Sequence, residues 1–271
     1  MMRKDIAKLI AGRLSSSTDD LTDLYNKSCS DIGYFYIDDL LPDALAKRLY
    51  SCFPDVSTLT LKKTRREFKF VSAQMDNCDS LLEEVLFAFQ EREVIDAISL
   101  IVGKADIHGD DKLYAGGISM MSDGHYLNPH LDNSHDMERN VWRVFNLLYY
   151  VSPKWEFLSG GSLELWPNGV EGESTTIQSK FNRLVVMATS NNSWHSVSPI
   201  TSDKVRTCIS NYYFSPTPID TRDKFHVTSF RGRPGNSVDD LILRGDALAR
   251  SFIRTVFHKG LIKPSHFYKK K

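Results

Sequence analysis

The sequence predicts a mainly β protein, a jelly roll of short strands with helices on its flanks, and three observations carry that expectation. First, β-branched and aromatic residues gather in short runs between Tyr114 and Ser215: Ile118–Met121, Tyr126–Leu131, Val144–Val151, Ser162–Trp166, Leu184–Ala188, His195–Ile200 and Arg206–Phe214. Second, turn-forming pairs such as Asp123-Gly124, Gly160-Gly161 and Asn168-Gly169 punctuate them. Third, apolar spacing of helical period is confined to the segments before and after. Many short strands at near-regular spacing suit a sandwich or barrel, and a jelly roll accommodates eight of them.

Taken in order, Met1–Leu14 reads as an amphipathic helix, because Lys8 and Arg13 interrupt any apolar run long enough for a signal peptide. Gly33–Asp38 reads as a strand, and Leu40–Tyr50, with a proline near its start, as a helix. Ser57–Asn77 alternates and is dense in positive charge at Lys62, Lys63, Arg65, Arg66 and Lys69, which predicts strand and loop. Ser80–Val102 carries the spacing of one long, partly buried helix. After the β region and Ser215-Pro-Thr-Pro218, a turn-rich Arg231–Asn236 leads into a last helix with Ser237 as N-cap, Asp239 and Asp240 in its first turn and Gly260 beyond its end. Its stripe of Leu241, Leu248, Phe252 and Val256 is expected to pack on the β core. The whole is read as one domain in three parts: 1–113 packing on the core, a core at 114–215, and a basic helical extension at 216–271.

Composition bounds the class. In 271 residues, 41% hydrophobic and 25% charged residues describe a packed globular protein. Lys plus Arg equals Asp plus Glu at 34 each, which argues against a nucleic-acid coat, and no nucleic-acid-binding motif occurs. Beyond Thr217, however, twelve Lys/Arg face five Asp/Glu and the chain ends Lys269-Lys-Lys271, so a polyanionic partner is expected at the basic C-terminus. Cys29, Cys52, Cys78 and Cys208 have no C-x-x-C spacing, and no apolar run reaches the ~20 residues of a membrane span. Both features suit a cytoplasmic protein.

The chemistry sits in Gly124-His-Tyr-Leu-Asn-Pro-His-Leu-Asp132. The period-2 geometry of a strand would place Tyr126, Asn128, His130 and Asp132 on one face. An imidazole and a carboxylate two residues apart can reach one metal ion, and one histidine further on completes the two-histidine, one-carboxylate set that leaves iron(II) positions open. Between His135 and the end of the β region, His195 is the only histidine available for that place. Arg206 opens another apolar strand, where a buried guanidinium needs an anion such as a dicarboxylate co-substrate.

In order, His130-Leu-Asp132, Leu147-Leu-Tyr-Tyr150, Gly160-Gly161-Ser-Leu-Glu-Leu165, Lys180-Phe-Asn-Arg-Leu-Val185, His195 and Arg206 resemble the iron(II)/2-oxoglutarate-dependent dioxygenases, in their prolyl 4-hydroxylase-like branch. The resemblance covers Tyr114–Ser215, with a looser match at Gly33–Pro54. It implies a double-stranded β-helix, cupin-like, with helices outside and the metal site at one mouth. It further implies iron(II) on His130, Asp132 and His195, and the distal carboxylate of 2-oxoglutarate on Arg206 with Tyr150 adding a hydrogen bond. Strand parity lets Asn146 and Ser210 point into the same pocket. The implied reaction hydroxylates an unactivated C–H bond with O2, releasing succinate and CO2. The sequence departs from the branch upstream of His130, where Met120 and Met121 stand in the region of a co-substrate tyrosine; Tyr126 is the substitute considered.

Two other classes use similar residues. A metal-dependent hydrolase takes the same three ligands around zinc without needing Arg206, and a cupin-like module binds without catalysis. The substrate, whether small molecule, sugar or peptide, is not legible; Asn133–Asn140 and Lys62–Lys69 are the candidate loops to meet it.

Overall fold

A computed structural model describes residues 2–256 and 266–269. The predicted helix stop at Gly260 and the terminal Lys270-Lys271 lie outside the described residues. The first helix, α1 (Arg3–Ser15), buries Ile6, Ala7, Ile10 and Leu14, which recur at helical spacing. A second, α2 (Thr18–Ser28), was not anticipated; it seats Leu21 and Tyr25 against the same core. Next come β1 (Tyr34–Ile37) and α3 (Asp43–Ser51), close to their predicted spans.

The strand-and-loop region resolves into β2 (Thr60–Lys63) and β3 (Glu67–Ser72), a hairpin. The single helix expected over Ser80–Val102 is instead two, α4 (Ser80–Ala88) and α5 (Arg92–Val102). The break has a tertiary cause. Tyr213 donates its hydroxyl to the Phe89 carbonyl, and the Gln90 side chain donates to Asn211 and accepts from the backbone of Asp110. Polar groups that would continue one helix are thus engaged by the sheet.

The β region supplies β4 (Gly117–Met121), β5 (Tyr126–Leu131), β6 (Trp142–Tyr150), β7 (Leu163–Leu165), β8 (Thr175–Ile177), β9 (Arg183–Ala188), β10 (His195–Val197) and β11 (Arg206–Ser215), with a short β12 (Ser229–Phe230) beyond it. Every run predicted there is a strand; β8 and β12 are additions. All pairings are antiparallel, in the order β1-β9-β6-β11-β4-β3-β5-β10-β7-β8, with β12 on β5 and β2 on β3. Because β3 pairs with β4 along Phe70–Ser72 and with β5 at Glu67 and Phe68, it carries the sheet round from one half to the other. The result is a curled half-barrel, the double-stranded β-helix.

Period 2 then sorts the residues of β6. Phe145, Leu147 and Tyr149 face outward into the main core with α1, α4 and α5, while Leu148 and Tyr150 face inward with Leu163, Val185 and Cys208. Burial on both faces explains why the run is almost continuously apolar.

The last helix, α6 (Ser237–Val256), departs from expectation in two ways. Its N-cap is Asn236, whose side-chain oxygen accepts from the Asp239 N–H at 3.2 Å. Its predicted stripe faces outward: Leu241, Leu248 and Phe252 are 74%, 73% and 71% exposed, and the buried anchor is Leu243; Val256's side chain lies outside the description. Ion pairs dock the opposite face, Asp239 to Arg65, Asp246 to Arg66 and Asp240 to Arg231. Of the arginines behind the C-terminal charge excess, Arg231 is thereby engaged, as are Arg222 with Asp220 and Arg233 with Glu164. None of the helices described is long and apolar enough to cross a membrane.

Candidate active site

β5 and β10 lie side by side with His130 and His195 as register partners, and Asp132 follows β5 directly. All three side chains are buried, and one ligand atom from each lies within 4.8 Å of the others. His130 Nε2 is 3.7 Å from Asp132 Oδ1, and His195 Nε2 is 3.7 Å from Oδ2. The backbone decides which nitrogen of each ring faces inward. His130 Nδ1 meets the Asn128 carbonyl at 3.0 Å and His195 Nδ1 meets the Ser193 carbonyl at 2.9 Å. A carbonyl can only accept, so each Nδ1 carries the proton and each Nε2 turns a lone pair toward Asp132.

Burial, reinforced by the neighbouring His195, holds the His130 pKa down at about 3, so the ring is neutral. Burial works against charge on Asp132, but His195, Arg143 and His130 outweigh it and keep its carboxyl below the usual range. Asn146 Nδ2 contacts Asp132 Oδ2 at 3.4 Å, while Arg143, enclosed by the Tyr114, Tyr212 and Phe214 rings, lies 3.8 Å from Oδ1. Phe230 of β12 stacks on His130 at 5.0 Å between ring centres.

Arg206 is 2% exposed, and no carboxylate among the described residues pairs with it. Its Nε donates to Ser179 Oγ at 3.0 Å, its Nη1 contacts Met121 Sδ at 3.5 Å, and its guanidinium carbon lies 4.7 Å from the centre of the Tyr150 ring. The Tyr150 hydroxyl is buried without a hydrogen-bond partner, and burial pushes its phenol up to about 12. A cavity of about 360 Å³ has His130, Asp132, His195, Asn146, Arg206 and Ser210 on its wall, whereas Tyr150 touches Arg206 without lining the cavity.

Tyr126 is not among them. Its hydroxyl donates to the Thr64 carbonyl at the surface, so the same-face grouping of Tyr126 and Asn128 with His130 fails. A bulge is the reason: Val197 pairs with Leu127 while His195 pairs with His130, so three steps along β5 match two along β10. Leu127 takes the inward place, and Asn128 turns to the Arg65 carbonyl. The residue facing Arg206 from β4 is Met121. Ser179 and Phe230 went unnoticed in the sequence, since nothing local marks a loop serine or a two-residue strand as part of a distant site. Both candidate substrate loops reach the cavity, through Lys62, Arg66, Lys69 and Asn133.

A curled antiparallel sheet that brings two imidazoles and a carboxylate together, with a buried arginine on the same cavity that pairs with no carboxylate among the described residues, has the form of a double-stranded β-helix oxygenase. Over residues 116–214 the chain matches the family described as the 2OG-Fe(II) oxygenase superfamily. It is a dioxygenase, working with iron(II) and 2-oxoglutarate. The fold is similar to that of a Pseudomonas putida prolyl-4-hydroxylase, at TM-score 0.54 and 18% identity over 72% of this chain and 98% of that one. A Trichoplax adhaerens prolyl hydroxylase, solved with a hypoxia inducible factor peptide fragment, matches at TM-score 0.52 and 15% identity over 74% and 91%. HygX from Streptomyces hygroscopicus, solved with nickel, 2-oxoglutarate and hygromycin B, matches at 0.51 and 10% over 76% and 95%. At these identities the likeness establishes the fold. No curated protein sequence matches the chain.

Proposed function

We propose that this dioxygenase hydroxylates an unactivated C–H bond, with His130, Asp132 and His195 holding iron(II) and Arg206 holding the distal carboxylate of 2-oxoglutarate. The observation that carries the reading is the pairing of two complementary features in one cavity: two imidazoles converging on a carboxylate, and a buried guanidinium that no carboxylate among the described residues pairs with. Two imidazoles and one carboxylate suit non-heme iron(II) and leave coordination positions open. A metal hydrolase has no use for the Arg206 pocket, and succinate release distinguishes the oxygenase from a non-catalytic binding module.

When bound, iron(II) would activate dioxygen, which is the oxidant, and 2-oxoglutarate would supply two of the electrons, leaving as succinate and CO2. The chain's own contribution is positioning. The Asn128 and Ser193 carbonyls fix both imidazoles in the tautomer that presents Nε2. Arg143 and Asn146 hold the Asp132 carboxylate ionised and oriented. Arg206, steadied by Ser179, offers its free donors to a carboxylate, and the unpartnered Tyr150 hydroxyl donates to the same anion. Phe230 covers one face of the His130 ring and steadies its orientation.

The unpaired Cys29, Cys52, Cys78 and Cys208 support a reducing, cytoplasmic setting. A polyanionic partner at the basic C-terminus is not part of this reading, because Arg222, Arg231 and Arg233 are engaged with carboxylates. The test is succinate release from 2-oxoglutarate in air with iron(II), together with mass spectrometry of a cell extract for products heavier by one oxygen atom. No succinate from a folded, iron-loaded protein would overturn the assignment.

A further inference from the structure

One part of the cavity wall, apart from Arg206, is cationic in a way that folding alone does not reward. On the β2–β3 hairpin, Lys62 and Lys69 are register partners, directly across from each other. Like charges in that relation destabilise a strand pair. Lys69 has Glu67 at 3.1 Å, while Lys62 acts on the same carboxylate from further off and closes no ion pair of its own among the described residues. The same pattern recurs beside it, where Arg66 and Arg250 share the single carboxylate of Asp246. Arg250 Nη2 is buried and, although near Asp246, makes no hydrogen bond. Lys62, Arg66, Lys69 and Arg250 all line the cavity that holds His130, Asp132 and His195.

Four cations thus face two carboxylates, Glu67 and Asp246, a surplus of two positive charges apart from Arg206. Resting on the oxygenase reading above, we propose that the substrate is a small phosphorylated compound whose phosphate is held by Lys62, Lys69, Arg66 and Arg250. A phosphate monoester carries about −1.5 to −2 at neutral pH, which matches that surplus where one carboxylate would not. Its oxygens supply acceptors for the unsatisfied Arg250 Nη2 and for both lysines. At about 360 Å³ the cavity has the size of a small-ligand site. The like-charge opposition of Lys62 and Lys69 is then the cost of a binding site, relieved when the anion enters.

The experiment uses inorganic phosphate as probe, on the full chain, at constant ionic strength and with saturating 2-oxoglutarate to fill the Arg206 site. Calorimetry is expected to show phosphate binding in the wild type, weakened at least tenfold in the Lys62→Gln/Arg250→Gln double variant and retained in Arg206→Gln. Acetate is expected to bind far more weakly than phosphate. Equal phosphate binding by the double variant, its loss in Arg206→Gln, no binding at all, or acetate binding as tight as phosphate would each overturn the proposal. If the double variant does not fold, Lys62→Met decides: it is expected to raise Tm without phosphate and weaken phosphate binding, and a variant that does neither overturns it. Succinate release is measured separately on the wild type. Its absence counts against the oxygenase reading, whereas succinate release without phosphate binding counts against this inference alone.

Discussion

The guanidinium of Arg206 lies 4.7 Å from the centre of the Tyr150 ring, on neighbouring strands of the same sheet, and among the described residues no carboxylate pairs with Arg206 and the Tyr150 hydroxyl closes no hydrogen bond. A buried donor pair left in this state is poised for a ligand. Arg206→Ala is therefore expected to raise the 2-oxoglutarate requirement by about an order of magnitude or more, since a charged hydrogen bond contributes roughly 1.5–3 kcal/mol. Tyr150→Phe is expected to raise it less, and metal binding should survive in both. Titrating 2-oxoglutarate at fixed metal checks this, and an unchanged requirement in folded Arg206→Ala would move the role to another cation.

Gly161 sets how closely the chain passes Arg206. Its φ is +68°, and an added Cβ would lie 2.4 Å from Ile200 Cδ1 and 2.7 Å from Arg206 Cδ. Gly161→Ala is expected to displace the guanidinium and weaken 2-oxoglutarate binding severalfold, with a lower Tm. Metal binding at His130, Asp132 and His195 should be unaffected. Co-substrate affinity equal to wild type would show that Arg206 tolerates the shift.

Asp132→Ala is expected to abolish activity. Thermal melting with and without metal separates binding from folding, because a ligand that binds only the folded state raises Tm. In the wild type, iron(II) plus 2-oxoglutarate should give such an increment, and in the variant it should shrink. A full increment and full activity in Asp132→Ala would remove it as a ligand.

Asp38 ties the end of β1 to the start of β9. Burial opposes its charge, but the Arg183 guanidinium at 2.5 and 3.0 Å and Lys180 at 2.8 Å hold its carboxyl below the usual range. A depressed folded pKa stabilises above the unfolded value, and that contribution is lost as pH falls through the folded one. The Tm gap between wild type and Asp38→Asn should be constant from about pH 7 to about pH 5 and close below about pH 4. Because the pair is part-exposed, its worth is about 1 kcal/mol or less. A gap that persisted unchanged to pH 3 would assign it to packing, not to charge.

Much of this protein is local information. The strands of the β region were legible because their period-2 patterns and glycine turns are properties of a few consecutive residues. His130, Asp132, His195 and Arg206 stood out because metal and anion chemistry restricts residue type and spacing; Asn146 and Ser210 followed from strand parity and do reach the cavity wall. What the tertiary structure alone decided is where long-range partners override local pattern. The break at Phe89-Gln90 exists because Tyr213 and Asn211 bind those residues from the sheet, more than a hundred positions away. The bulge beside Pro129 that turns Tyr126 to solvent depends on register with β10. The outward stripe of α6 faces away because Asp239, Asp240 and Asp246, and not Leu241 or Leu248, find partners in Arg65, Arg231 and Arg66. A helix shows its periodicity in sequence, but which face meets the protein depends on charges elsewhere in the chain.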